Sequence, residues 1–551
     1  MNDKLSAHIM NLLDGTYECI DRIVLNAYFQ MGQAAGGFRT WWRQLEGSDD
    51  NLDNAHLMRM AGRLARRLRA HAKAHQIPVV DCASQDRKYA IAEQYLPKDP
   101  NFTGVFAILV GRAPAPVWDV QCSKNGKIVN LERKTQYVNH YYFHIQDSDW
   151  GHVTIRMSGH PPFGAQIILN GHDYVACQAR KAGVNFQKED NCFTAVSEPA
   201  RLAQIADTLA TPEIVGQLEQ VCNRWIYSAC LCFALDLEEQ ERTHFQYAYS
   251  VYQAEYSRNL LFRHGSQMEQ LFQALVDRTR SWLDVKRVQT IFGAKRRPFR
   301  HYKSRSQPRF EVVVERPEYN LTVFKLHFGK LTVKLYTKGE RVLRSEAIVH
   351  NTKALHCGRS LPKFSLIVAE LQQILLRFLD VLDCVNGAFL DDDTFDNLSH
   401  PGQLNAKPVA GIDLSKPRMR AVLNAVIALA ASPAGFTASS LAQKVKELLG
   451  PAAQNYLPRH ASYDLKKLRA KQWVFPVGKS RSYQVSEDGL RSITALLILR
   501  EKVLRPLLAG ARHNLPHALP DRSTPLGNLY HTLQADLQDL FDLLGFNAQP
   551  V

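Results

Sequence analysis

None of the ten cysteines forms a C-x-x-C pair, and most sit in apolar surroundings such as Cys230-Leu-Cys232 and Cys384. That excludes a zinc ribbon or a disulfide framework and predicts reduced thiols. Runs of about 18 apolar residues, the length a membrane span needs, are also missing; the longest apolar helix candidates, such as 421–431, are too short. Residues 1–16 lack a basic segment followed by an apolar one, so no secretory signal is expected. Glycine-rich phosphate loops are absent as well. Where a strand–helix–strand pattern begins, Cys82-Ala-Ser-Gln is neither G-x-G-x-x-G nor a P-loop, which removes support for a nucleotide cofactor. No internal repeat is visible. Together these absences predict a cytoplasmic protein with no membrane partner and no certain cofactor.

What is present is positive charge. The net charge of +15 favours a polyanionic partner. A chain of 551 residues exceeds one hydrophobic core, so three or four domains are expected. The pattern reads as an α+β multidomain protein: a helical N-terminus, a mixed α/β body with antiparallel sheet, and a C-terminal winged helix-turn-helix. Residues 1–75 read as helices, with Arg63, Arg66, Arg67 and Arg69 on a basic face that we take as solvated. Residues 76–285 read as an α/β domain whose hairpin, 139–146 with 152–158, is rich in histidine. Residues 286–395 carry a basic loop, a β-meander and a helix, 396–416 a linker, 417–512 the winged helix, and 513–551 a tail.

In that hairpin, period two places His140, Tyr142 and His144 on one strand face and His152, Thr154, Arg156 and Ser158 on one face of the other. Histidines four residues apart on a strand lie about 13 Å apart, too far to share one metal. The face reads as polar sheet surface toward nucleic acid, or as core histidines with satisfied nitrogens.

The most specific pattern lies near the C-terminus. Helices are expected at 418–431, 437–449 and 459–471, the second capped by Thr437. The third buries Leu465 and Leu468 and leaves Arg459, Ser462, Lys466, Lys467 and Arg469 for a groove and its phosphates. A short strand, a turn carrying Lys479 and Arg481, and a second strand at 482–485 follow. Helix, strand, basic turn and strand in that order predict a winged helix with its third helix in the DNA major groove. The stretch resembles the winged-helix domains of MarR- and ArsR-like bacterial regulators.

Two further segments suggest phosphate chemistry. Residues 286–310 hold nine Lys or Arg and no acid, with Phe292, Phe299 and Tyr302 interspersed. Lys295, Arg296, Arg297, Arg300, Lys303 and Arg305 are the expected phosphate contacts, and the rings could stack on unpaired bases. In the meander, alternation gathers Thr332, Lys334, Tyr336 and Lys338 on one face, with Arg344 and Glu346 on the returning strand. A tyrosine among cations with a carboxylate nearby is the equipment of a DNA nickase: cations lower the phenol pKa, and the carboxylate holds a divalent metal. Tyr336, Lys338 and Arg344 are the catalytic candidates. Glu346, with Glu255 if the two strands share a sheet, is the candidate ligand for Mg²⁺ or Mn²⁺.

Lys334-Leu-Tyr-Thr-Lys338 with Leu343-Arg-Ser-Glu346 is similar to a strand pair of replication initiators from rolling-circle plasmids and filamentous phages. Thr337 stands where that family carries Asp, removing one ligand. The chain as a whole resembles a group of large uncharacterised bacterial proteins that pair an α/β body with a C-terminal winged helix. The expectation is a nucleic-acid-binding protein, for DNA or structured RNA, of mobile-element or replicon type; the alternative is a metal-dependent nickase or nuclease.

Overall fold

The computed structural model describes residues 4–99, 101–123, 128–282, 291–292, 310–316, 323–328, 330–386, 397–430, 432, 435–478, 480–500 and several positions between 525 and 536. The expected contacts at Lys295, Arg296, Arg297, Arg300, Lys303, Arg305 and Lys479 lie outside the described residues. The chain divides into two compact units, Ile9–Phe272 with Val288–Leu375, and Leu376–Val551 with Asn2–His8 and Gln273–Arg287.

The first unit is built on one mixed sheet of twelve strands. In chain order its strands are β1 (Leu13–Phe29), β2 (Val79–Asp81), β3 (Gly104–Cys122), β4 (Ile128–Asp147), β5 (Gly151–Ser158) and β6 (Ala165–Asn170). A separate hairpin, β7 (Phe186–Glu189) with β8 (Cys192–Val196), precedes β9 (Tyr247–Phe262), β10 (Ile291–Phe292), β11 (Phe310–Arg316), β12 (Val323–Phe328), β13 (Leu331–Lys338) and β14 (Val342–Val349). The spatial order is β10-β11-β12-β13-β14-β9-β1-β6-β5-β4-β3-β2. Neighbours are antiparallel except β2 with β3 and β10 with β11. The first of these parallel pairs has the short helix Lys88–Glu93 between its strands, the connection a parallel pair requires.

The N-terminus departs from the helical expectation. Residues 13–29 form a seventeen-residue strand between β9 and β6, not a helix. Ile20, Ile23, Val24, Leu25, Ala27 and Phe29 are all buried, so consecutive residues point into apolar surroundings on both faces. A strand buried on both faces loses the period of two, and a short apolar run is then indistinguishable from a buried helix. Helices do follow, at Ala35–Glu46 and Asn54–Ala74. Three arginines of the latter's basic face are paired, Arg63 with Glu239 at 2.7 Å, Arg67 with Asp236 at 3.6 Å and Arg69 with Asp81 at 3.1 Å, while Arg66 is exposed.

Phe143, Ile145, Val153, Ile155, Met157, Ile167 and Leu169 bury the opposite face of β4, β5 and β6 from the histidines. This is the alternation expected of antiparallel strands that present one polar face.

In the second unit, helix Pro417–Ala430 leads to strand β17 (Phe436–Thr437) and helices Ala438–Leu449 and Pro458–Ala470. Strands β18 (Val474–Pro476) and β19 (Ser482–Val485) and helix Glu487–Ile498 follow. The small sheet has the order β17-β19-β18. Thr437 caps its helix in a reciprocal capping box with Ser440, the Ser440 amide donating to Thr437 Oγ1 at 3.1 Å. The stretch 396–416 holds a small hairpin, β15 (Gly402–Leu404) with β16 (Lys407–Val409).

Candidate functional site

The meander residues singled out above do converge. Tyr336 pairs with Arg344 and Lys334 with Glu346 across β13 and β14; Arg344 opposes Asn259 and Glu346 opposes Ser257 on β9. These positions therefore share one face of the sheet. Glu255, two residues from Ser257 on that strand, joins the face.

They form a closed ionic network. Glu346 Oε1 accepts from Arg344 Nε at 2.8 Å and from the Tyr336 hydroxyl, and Oε2 accepts from Lys334 Nζ at 3.0 Å. Arg344 also donates to Asp21 on β1, to the Asn191 carbonyl at 2.6 Å and to Asn259 Oδ1 at 3.2 Å. Lys338 donates to the Asn191 side chain. Asp21 sits where β1 bulges against β9, between Ile20 and Arg22. Its Oδ1 accepts from Ser257 Oγ at 3.0 Å and stands 2.8 Å from His172 Nδ1, in ion-pair range but without hydrogen-bond alignment.

Local sequence explains how His172 arrives. Asn170 ends β6 and caps the helix Gly171–Lys181 by accepting the His172 amide at 2.9 Å. Gly171 lies against β1 so closely that a Cβ there would meet the Ile20 carbonyl oxygen at 1.9 Å. Only glycine brings the helix near enough for His172 to reach Asp21.

Burial governs the chemistry. Arg344 and His172 are 0 % exposed and Glu346 2 %. Desolvation alone would push the Glu346 carboxyl up, yet Arg344, Lys334 and the Tyr336 hydroxyl hold it down at about 2. Tyr336 goes the other way: burial lifts its phenol well above the ordinary value, Glu346 adds to this, and Arg344 only partly opposes it. The expectation that cations lower the phenol pKa is thus corrected, because desolvation outweighs them. Burial, Asp21 and Glu346 likewise raise the Glu255 carboxyl. Both oxygens of Glu346 are taken, so a metal there would have to displace Lys334 or Arg344.

Among the described residues, the group of three ligand atoms close enough to share an ion is Cys19, Asp21 and His172, within 4.8 Å of one another; neither glutamate belongs to it. Burial raises the Cys19 thiol, and Asp21 already answers Arg344. The trio is part of the buried polar core that the ion pairs hold together.

The histidines of the hairpin divide as the strand spacing requires. His144 meets not His140 but His152 across the strands, Nδ1 to Nε2 at 3.0 Å. Burial, with Arg156 for His140 and His152 for His144, lowers their pKa values to about 4 and about 3.

In the second unit the helix Pro458–Ala470 buries Ala461, Asp464, Leu465 and Leu468. The Asp464 carboxylate, 0 % exposed, accepts from Tyr456 Oη at 2.8 Å and from Arg418 at 3.2 Å, fixing this helix against the first. Arg459 and Lys466 are exposed, Arg469 is half-buried, and Arg481 is exposed in the turn after Gly478, whose φ of 53° favours glycine. Two expected contacts are committed elsewhere. Lys467 turns back over the Tyr463 ring, 3.9 Å from Asp464, and the Ser462 hydroxyl donates to the Pro458 carbonyl at 3.0 Å. The sequence reading missed Tyr463, 47 % exposed and four residues after Arg459, an aromatic at helical spacing among the cations.

No protein-family model, curated protein or solved structure matches this chain.

Proposed function

We propose that the protein binds nucleic acid, DNA or structured RNA, through its second unit. The helix Pro458–Ala470 acts as the groove helix of a winged helix, and the β18–β19 turn acts as its wing. The use is of mobile-element or replicon type, in keeping with the resemblances of the sequence. One observation carries the reading: Arg459, Lys466, Arg469 and Arg481 reach solvent with no carboxylate partner among the described residues. Unpaired cations on a helix face release counterions when they meet phosphates. On the Asn54–Ala74 helix three of the four arginines of the basic face, Arg63, Arg67 and Arg69, are answered by acids, and Arg66 is not, among the described residues.

The test is fluorescence anisotropy with duplex DNA and with hairpin RNA, on the native protein and on the Lys466→Ala/Arg469→Ala variant. Weaker binding by the variant supports the reading, and the tighter native ligand separates DNA from RNA. Equal affinity would assign the helix to protein contacts.

The nicking alternative requires a deprotonable Tyr336 and carboxylates open to Mg²⁺ or Mn²⁺. The raised phenol and the fully engaged Glu346 argue against both, so the binding reading is preferred.

A further inference from the structure

A cavity of about 570 Å³ in the first unit is lined by residues of β1, β3, β4, β5, β6 and β9 and of the loops beside them. Three arginines, Arg133, Arg156 and Arg359, are among the residues that line it. None of the three forms an ion pair, and no Asp or Glu lines the cavity, among the described residues. Three other cavities differ in this respect: one holds Glu93, Asp173 and Asp190, another Asp149, and a third Glu219 and Glu241. Three arginines around one cavity with no counter-charge make its lining cationic, which favours a bound anion.

The arginines are held by neutral groups, which leaves their charge available. Arg156 lies over the Tyr142 ring at 5.7 Å and reaches Gln166 Oε1 at 3.4 Å, and Gln166 in turn donates to Asn26 Oδ1 at 3.0 Å. The buried Nε–H of Arg156 has no hydrogen-bond partner. Arg133 lies over the Trp118 ring at 5.9 Å and donates to Gln33 at 2.8 Å. Arg359 is anchored through its backbone, its carbonyl accepting the Val251 amide at 2.7 Å. Beside the cations, Tyr28, Pro114 and Pro116 give the cavity an apolar wall. Pro114 and Pro116 are tolerated there because, among the described residues, that half of β3 pairs with β4 alone; β2 pairs, through Val79–Asp81, with Ile108–Val110.

We propose that this cavity binds one nucleotide, the arginines taking its phosphate and the tyrosine–proline wall its base. The volume fits a ligand of that size, and Arg offers paired donors to phosphate oxygens. A free mononucleotide and a nucleotide within a single strand share this chemistry. The site does not depend on nucleic-acid binding by the second unit.

Titration calorimetry tests the site. The full chain is titrated with a nucleoside 5′-monophosphate, with the same nucleoside lacking phosphate, and with a short single-stranded oligonucleotide. Arg156→Gln, Arg359→Gln and Lys466→Ala/Arg469→Ala are compared, folding being checked by circular dichroism. The proposal expects saturable binding of the phosphorylated ligand, a loss of about tenfold or more when phosphate is removed, and a similar loss in each arginine variant. The Lys466→Ala/Arg469→Ala variant should bind the mononucleotide as the native chain does. Binding of the mononucleotide identifies a free-nucleotide site. Binding of the oligonucleotide alone, with the same losses in the two arginine variants, identifies a single-strand site. Absence of binding by either ligand, or binding that folded Arg359→Gln leaves unchanged, overturns the proposal.

Discussion

Arg344 and Asp21 stand 323 positions apart in the chain and form an ion pair in which neither side chain is more than 1 % exposed. The pair links β14 to β1 across β9, which lies between them. Its arginine is also committed to Glu346, Asn191 and Asn259, so one guanidinium ties together three strands and the β7–β8 turn. A buried pair of this kind adds little net stability over an apolar pair of the same shape, yet it is costly to break.

Removing one partner leaves an uncompensated buried charge. Arg344→Met and Asp21→Asn should each destabilise the chain by about 3–5 kcal/mol in urea unfolding. The double variant should cost clearly less than the two added together. Full additivity would mean that the two residues act independently.

Acid should weaken the first unit in two stages. His140 and His144 are neutral when folded, with pKa values of about 4 and about 3, below the ordinary histidine value. The unfolded chain therefore takes up protons first, and stability falls from about pH 6.5 downward toward those values. Glu346, with a folded pKa of about 2, contributes stability that is present above the unfolded value of about 4.3 and lost as pH falls toward 2. Melting temperature followed from pH 7 to pH 3 checks the sign; a flat profile would contradict it. His144→Phe should flatten the upper stage.

Gly171→Ala introduces a methyl group where the Ile20 carbonyl oxygen leaves 1.9 Å. The helix must shift away from β1, at a cost of about 1–3 kcal/mol. Gly36, in the helix Ala35–Glu46, has no atom within 4 Å of the same construction. Gly36→Ala should be neutral or stabilise by up to about 1 kcal/mol. The contrast between the two substitutions is the measurement, again by urea unfolding.

On the third helix of the second unit, charge and ring should separate by their salt response. Lys466→Ala should lower the slope of log affinity against log salt by roughly one contact, about 0.9. Tyr463→Ala should weaken binding with the slope unchanged, since a ring releases no counterion.

Local patterns were legible and distant pairings were not. The meander, the Thr437 cap and the burial of Leu465 and Leu468 follow from alternation, capping and helical period, all carried within a few residues. Alternation also placed Tyr336 and Lys334 on one face. The distant partners of Arg344, namely Asp21 and Asn259, and His172 beside Asp21, come from segments that only the sheet order brings together. For the same reason the sequence pointed to an activated phenol where the fold sets a half-buried one against the Glu346 carboxylate. Lys467 looked free because its partner, Asp464, is itself interior. Of the arginines that line the cavity, only Arg156 carried a local signal, through alternation in the hairpin; Arg133 and Arg359 carried none.

The central claim is that unpaired cations of the Pro458–Ala470 helix and its wing grip nucleic acid. The most direct measurement is the salt dependence of binding to the preferred nucleic acid, for the native chain and for Lys466→Ala/Arg469→Ala. The account predicts weaker binding and a slope lower by roughly two contacts, about 1.8 on duplex DNA. An unchanged affinity and slope would contradict it.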